Sequence, residues 1–469
     1  MDKETTRLEV VVIGMGYVGI PVAAMLADVE GCNVTGVQRR SKRSGWKIDY
    51  LNAGKSPIGG DEPGLAELIA KVVKKGSFRV TDDISVCKKA DAILIDVQTP
   101  VDEKHVPQNA SLKEVAQAVG KYMKKGAMVV IESTVAPGTT EYVVKPILEK
   151  FSGMKAGEGF NLVYSYERVM AGRLLHNMKY MPRIVGGLTP QCTQRGIEFY
   201  KKIVKAELLP TSCLAAEVAK VTENTYRDVN IAFANEVALI CESLGVNVHD
   251  VRRIVNSLPH DPSNPSKNPY RMMHIPGAGA GGHCLPKDPW LLQYGLEAYG
   301  SFKFKPSMIL ESRRINDHMP QHMKTLIREA LSEKGLKLHD AKVCILGFAF
   351  LEDSDDTRNT PALPLYNLLK NECKEVVVHD PYVGEFEGVT IINRLEDALK
   401  GKDCIAIVTR HKQYFNISLN WLKDMLATPV IVDGRNVFNP EDCIKAGFSF
   451  RGVGVGFPNR KQLRQTNKH

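Results

Sequence analysis

Cys284 lies in the stretch Gly277–Asp288, GAGAGGHCLPKD, a setting that suits a nucleophile. A run of glycines lets backbone amides and a bulky ligand come close to a thiol. Lys287 is near enough in sequence to favour a thiolate, and Asp288 could act as a base toward water. The other cysteines have no such neighbours, and a buried structural role is the simpler expectation for them. Lys220 and Asn224 are four residues apart, so on a helix they share a face. A cation and an amide placed that way can stabilise an oxyanion, although a solvated helix surface would carry the same pair.

A third feature is Gly14-Met15-Gly16-Tyr17-Val18-Gly19, which follows a short apolar run and opens an Ala-rich one. In a strand–turn–helix setting the first glycine makes the turn and the second admits a pyrophosphate. The third lets helix and strand pack closely, with the phosphate at the helix N-terminus. The acidic residue that usually holds a ribose 2′-hydroxyl is missing, since the second strand ends Gly36-Val37-Gln38-Arg39-Arg40. Arginines at this place accommodate a 2′-phosphate, which would make the cofactor NADP. Alternatively Gln38 holds the hydroxyl of NAD while Arg39 and Arg40 point to solvent.

These groups need a scaffold. Leu8–Ile13, Val34–Val37, Ala92–Ile95, Met128–Ile131 and Leu162–Tyr164 read as strands separated by helical stretches, which implies a parallel sheet. From Cys213 to Leu244 no Gly or Pro occurs; Thr211–Ser212 precede this run and Gly245 ends it, so it reads as one long helix and a candidate dimer spine. A loop rich in Pro, Asn and Ser, Pro259–Pro269, leads to the glycine-rich segment Pro276–Gly282, with more helix to about Leu331. The α/β pattern then restarts with Lys342–Leu346, Val376–His379, Asp403–Thr409 and Val430–Asp433. The expected fold is α/β: two Rossmann-like doubly wound parallel-sheet domains, residues 1–210 and 331–469, joined by a helical domain, residues 211–330.

Composition narrows the function. The chain has 469 residues, 43% hydrophobic and 25% charged, and a net charge of +9. The basic excess is spread out, with small clusters at Arg39–Arg43 and Arg460–His469, and suits anionic small molecules better than nucleic acid, which wants a compact basic-aromatic stripe. The 10 cysteines include no C-x-x-C pair and no zinc-ligand spacing, so no metal is expected and a cytoplasmic, thiol-preserving compartment is. Met1–Glu9 is charged, unlike a secretory signal, and no apolar run approaches the ~18 residues of a membrane span.

Further motifs occur in order: Glu132-Ser133-Thr134-Val135-Ala136-Pro137-Gly138-Thr139, Glu167-Arg168-Val169, Pro182–Gly187, Glu223-Asn224-Thr225-Tyr226-Arg227-Asp228, Gly281-Gly282-His283-Cys284 and Gly347-Phe348-Ala349-Phe350. With the glycine fingerprint they make the chain resemble the UDP-glucose/GDP-mannose dehydrogenase family over nearly its whole length, and within it the archaeal UDP-N-acetylhexosamine branch. The resemblance implies a four-electron oxidation of a sugar CH2OH to a carboxylate, with UDP-N-acetylmannosamine the first choice of sugar and UDP-glucose the alternative. Cys284 would be the nucleophile and carry a thioester. Lys220 and Asn224 would hold the oxyanion, Asp288 and Thr134 would order water, and Glu167 would assist hydrolysis. Gly14, Gly16, Tyr17, Val18, Gly19, Gln38, Arg39, Thr99, Thr134 and Lys287 would contact the cofactor. Glu167, Arg168, Arg271, Gly279, Gly281, Phe350 and Arg358 would join Lys220 and Asn224 around the nucleotide-sugar, Arg271 being supplied by a neighbouring subunit of a homodimer or larger homo-oligomer. Three positions depart from the family pattern: Gln38 for an acidic residue, Tyr166 for a Pro before Glu-Arg, and Leu351 for a Lys after Gly-Phe-Ala-Phe. A two-electron hydroxy-acid dehydrogenase, which needs no thiol, is the competing enzyme reading.

Overall fold

The computed structural model describes residues 7–42, 44–59, 62–170, 172–258 and 272–456. Two compact units result. One runs to Glu223 and includes Trp290–Lys305; the other comprises Asn224–Pro289 and the chain from Pro306 onward.

The first unit is built on an eight-stranded sheet: β1 (Leu8–Ile13), β2 (Cys32–Val37), β3 (Phe78–Thr81), β4 (Ala92–Ile95), β5 (Met128–Ile131), β6 (Asn161–Tyr164), β7 (Arg183–Gly187) and β8 (Leu208–Ser212), ordered β3-β2-β1-β4-β5-β6-β7-β8. β4 and β5 are buried at every position and are short uninterrupted apolar runs, AILI and MVVI, as strands covered on both faces must be. Burying each Val, Leu, Ile or Met side chain of these runs contributes about 1.5–3 kcal/mol. The order reverses between β1 and β4, so the crevice beyond their carboxyl ends is the natural ligand position. The sheet departs from the all-parallel expectation at one step: β6 and β7 pair antiparallel, through Val163↔Gly187 and Tyr164↔Gly186.

The second unit carries a five-stranded parallel sheet: β9 (Lys342–Leu346), β10 (Glu375–His379), β11 (Cys404–Ile407), β12 (Val430–Asp433) and β13 (Ser449–Gly452), ordered β10-β9-β11-β12-β13. Its switch point lies between β9 and β11. Gly347 makes the turn after β9 at φ +91°, where an added Cβ would sit 2.5 Å from Thr409.

The long helix spans Cys213–Leu244, matching the Gly- and Pro-free run, and the boundary between the units falls inside it. In the second unit this helix packs on the helix Ser307–Glu333 through buried polar groups. Arg313 Nη1 donates to Asp228 Oδ1 at 2.5 Å, and Asn316 Nδ2 donates to the same oxygen at 2.9 Å. Asn235 bridges Asn316 Oδ1, 2.9 Å away, and the Gly277 amide, also at 2.9 Å, which ties the glycine-rich segment to both helices. No helix among the described residues is long and apolar enough to cross a membrane.

Candidate active site

The turn after β1 has the shape a dinucleotide needs. Gly14 has φ +108°, and a Cβ there would lie 2.3 Å from the Asp96 carbonyl oxygen at the end of β4. A Cβ on Gly19 would lie 1.9 Å from the Gly14 carbonyl oxygen, so only glycine lets the helix Gly19–Asp28 pack against the strand. Gly16 has nothing within 4 Å of its Cβ position, leaving open the space a pyrophosphate would fill. No side chain caps this helix and its first turn holds no acidic residue, so no carboxylate opposes an anion at this end, although the Ile20 and Val22 amides already bond to the Gly16 and Val18 carbonyls. Gln38 stands at the end of β2 with Oε1 accepting the Met15 amide at 3.1 Å and Nε2 donating to Ser44 Oγ at 3.0 Å. Arg40 turns to Asp82, with Nε 3.1 Å from the carboxylate, while Arg39 is exposed and makes no ion pair among the described residues.

Beyond β4 and β5 the first unit assembles further candidates. Thr99 Oγ1 donates to the Thr134 carbonyl at 2.5 Å, and Ser133 Oγ donates to the Val97 carbonyl at 2.7 Å. Lys220 donates from Nζ to the Glu167 carbonyl at 2.8 Å, with the Glu167 carboxylate 3.5 Å away. Its ammonium also lies 5.1 Å from the centroid of the Tyr166 ring. Arg168 is bound to the Glu223 carboxylate, with Nε at 3.1 Å, and to the Pro182 carbonyl at 3.0 Å. Tyr166, at the position where Pro is common, donates its hydroxyl to Glu223 at 2.6 Å. Burial, then this carboxylate, pushes the Tyr166 phenol up, so it stays a proton donor.

The second unit builds the cysteine loop. Cys284 is half-buried, and its carbonyl accepts the amides of Lys287 at 3.1 Å and Asp288 at 3.0 Å, which starts the helix Asp288–Tyr299. Asp288 is fully buried. Oδ1 accepts Lys287 Nζ at 2.8 Å and Oδ2 accepts Asn224 Nδ2 at 2.6 Å. The glycines before the thiol are packed against the segment after β9. A Cβ on Gly281 would lie 2.7 Å from both the Asn359 carbonyl oxygen and Phe350 Cβ; the Gly282 amide donates to the Arg358 carbonyl at 2.9 Å. The Arg358 side chain is exposed and paired with Asp356, Nε at 2.8 Å. Gly279, at φ +134°, faces the Asn316 carbonyl and Pro320, whose ring removes the amide that would return to that carbonyl. His283 is pushed down to about 4 by burial and by Lys287 and Arg358, so it is neutral near pH 7. Arg271 and the loop Pro259–Pro269 lie outside the described residues.

Sequence reasoning missed a cluster of arginines. Arg227, Arg252 and Arg435 line a cavity of about 250 Å³ whose floor includes Gly277 and Gly279. Arg252 Nε donates to the Met273 carbonyl at 2.9 Å and Arg435 Nη2 to Glu352 at 3.1 Å. His274, on the same wall, is pushed down by burial and then by Arg227 and Arg252. Three guanidinium groups in one cavity have the charge and geometry that suit a polyanion such as a diphosphate. Arg435 was findable, because it sits just past the carboxyl end of β12, where α/β sheets place ligands. The turn after β9 differs from the Gly14 turn: the amides of Phe348 and Ala349 donate to Asp380 Oδ2, at 2.6 and 2.8 Å, so a protein carboxylate already holds the place of a phosphate there.

A glycine cradle at a sheet switch point, and a thiol loop beside a buried Lys–Asp–Asn cluster, fit an NAD-dependent oxidoreductase acting on CH–OH groups. Residues 8–204 match the NAD binding domain of the UDP-glucose/GDP-mannose dehydrogenase family, residues 214–318 its central domain and residues 344–440 its UDP binding domain. The chain belongs to that family. It is 35% identical over 450 residues to a UDP-N-acetyl-D-mannosamine dehydrogenase of Pyrococcus horikoshii, covering 96% of this chain and 100% of that one. An NDP-N-acetyl-D-galactosaminuronic acid dehydrogenase structure from Methanosarcina mazei is 44% identical, with TM-score 0.87 and 96% of each chain covered. A Staphylococcus aureus UDP-N-acetyl-mannosamine dehydrogenase structure is 32% identical, with TM-score 0.79, 95% of this chain and 99% of that one covered.

Proposed function

We propose that this nucleotide-sugar 6-dehydrogenase oxidises the C6 alcohol of UDP-N-acetylmannosamine to the carboxylate through a thioester on Cys284. The observation that carries this reading is the Cys284 loop itself: glycines with no room for a side chain lead to a half-buried thiol, and the next turn holds a fully buried Asp288 bound by Lys287 and Asn224. NAD, when bound, accepts a hydride in each of the two oxidation steps. The Cys284 sulfur adds to the aldehyde, so the half-oxidised sugar stays attached to the protein, and water later releases the acid and the thiol. Lys220 and Asn224 stabilise negative charge on the sugar oxygen. Glu167 and Asp288 take up protons as water attacks, with Thr134 ordering that water. Arg227, Arg252 and Arg435 receive the diphosphate, together with Arg358.

NAD is preferred over NADP. Arg40 is engaged by Asp82, and Gln38 faces the Gly14 turn, where its amide can serve a ribose hydroxyl. The protein works as a homodimer in the cytoplasm. Tyr226, Phe233 and Ile240 recur every seven residues along the long helix and are 71%, 55% and 51% exposed, an apolar stripe that a second copy would cover.

A panel of UDP-N-acetylmannosamine, its gluco and galacto epimers and UDP-glucose, each with NAD or NADP, tests the reading by absorbance of reduced cofactor. Two reduced cofactors per uronic acid are expected; one per sugar would leave a two-electron dehydrogenase. The galacto epimer is the second reading, favoured by the 44% identity to the Methanosarcina structure.

A further inference from the structure

Glu217 is a buried carboxylate on the long helix, one turn before Lys220, and none of the roles above uses it. Its two oxygens accept two backbone amides of one loop: Oε2 takes Gly138 N–H at 2.7 Å and Oε1 takes Thr140 N–H at 2.8 Å. That loop, Ser133–Thr140, carries Thr134 near its start. At its near end Thr99 holds the Thr134 carbonyl. Near its far end Thr139 donates from Oγ1 back to the Ala136 carbonyl at 2.6 Å. At its far end Gly138 has φ +92° and is closed by the Tyr299 ring, 2.4 Å from where a Cβ would be. The Thr140–Val144 segment that follows is a single π-helical turn, and Gly138 and Thr140 sit at its start, so their amides need an acceptor from outside.

We infer that Glu217 is a positioning residue whose carboxylate clamps the Gly138 and Thr140 amides and so fixes the loop of Thr134 to the helix that carries Lys220. This rests on the nucleotide-sugar dehydrogenase reading for its effect on turnover, but the clamp itself does not. An ionised carboxylate accepts at both oxygens. A protonated one has a hydroxyl that cannot accept a second amide as well, so the clamp is complete only when Glu217 is charged. Burial pushes this carboxyl up to about 7, Thr140 and Gly138 lower it, and Glu141 raises it. Of the other groups that feel its charge, Cys213 and Tyr299 are both pushed up, by burial first and by Glu217 among the rest.

The test compares the full-length parent with Glu217→Gln and Glu217→Ala. Amide exchange at Gly138 and Thr140 is read by mass spectrometry or NMR, alongside kcat, KM and melting temperature. Glu217→Gln presents one amide hydrogen to another, so exchange at these two sites should rise at least about tenfold, and kcat should fall about tenfold or more with KM for the UDP-sugar little changed. The parent's kcat should climb with pH through about 7, and the Gln variant should lose that limb. Unchanged exchange in a folded variant overturns the clamp, whatever kcat does, and a kcat within about twofold of the parent overturns the positioning role. If neither variant folds, the parent alone decides: protection at Gly138 and Thr140, corrected for chemical exchange, must drop as pH falls through about 7, and constant protection overturns the proposal. A parent that turns over none of the UDP-sugars refutes the enzyme assignment and leaves the exchange measurement standing.

Discussion

Asn224 and Asp288 meet through one hydrogen bond of 2.6 Å although 64 positions separate them in the chain. With Lys287 on the other oxygen at 2.8 Å, the carboxylate has both a charged and a neutral donor and no contact with solvent. Asp288→Asn removes the only ion-pair partner that Lys287 has among the described residues and leaves its ammonium buried. The expected cost is about 3–5 kcal/mol, read by denaturant unfolding. Asn224→Ala loses one charge-assisted bond and should cost about 1.5–3 kcal/mol. A stability equal to the parent's in both variants would contradict this geometry.

Cys284→Ser should reduce uronic acid formation by at least about a thousandfold, because an alcohol does not trap the aldehyde in the way a thiolate does. The same variant should still bind the UDP-sugar, measured by calorimetry. Acid production at the parent rate would refute the thioester.

Two glycines of one motif should fail differently. Gly19→Ala puts a methyl 1.9 Å from the Gly14 carbonyl oxygen and should unfold the protein or cost several kcal/mol, about 3 or more. Gly16→Ala meets nothing within 4 Å, so the melting temperature should hold while NAD affinity drops about tenfold or more. Equal melting temperatures for the two variants would mean the close packing at Gly19 has been misread.

His283 makes a contribution of definite sign to the pH dependence of stability. Its folded-state value near 4 lies below the ordinary value of 6.5, so the unfolded chain binds the proton first as pH falls. The His283 contribution to stability is fully present above about 6.5 and is lost progressively toward about 4. His283→Gln should flatten the pH–stability curve over that interval, as followed by melting temperature.

Charge placed on the apolar stripe should split the assembly. Tyr226→Glu together with Phe233→Glu should convert a dimer to monomers in sedimentation, with the circular dichroism spectrum unchanged. A parent that already sediments as a monomer would count against the helix as a contact between copies.

Features set by local chemistry could be read from residues alone. β1, the Gly14 turn and the Ala-rich helix after it are contiguous, and the long helix follows from the absence of Gly and Pro between Cys213 and Leu244. β7 and β8 were not legible as strands. RIVGG ends in two glycines, and LLPTS contains Pro210, which is tolerated because β8 is an edge strand. Candidate site residues were legible where a local motif carries them, as around Cys284. Arg227, Arg252 and Arg435 come from distant segments and share no spacing, and the buried Glu132–Arg183 pair spans 51 positions. Contacts of that kind exist only after the chain has closed.

The tight seat of Gly281 against Asn359 and Phe350 bears on how sugar preference could be re-engineered. A Cys284 loop transplanted from a relative would carry its own backbone path into a space already filled by the segment after β9. Chimeras exchanging only one of the two should misfold locally, whereas paired grafts of both segments should be tolerated, so the two stretches form one inheritable cassette.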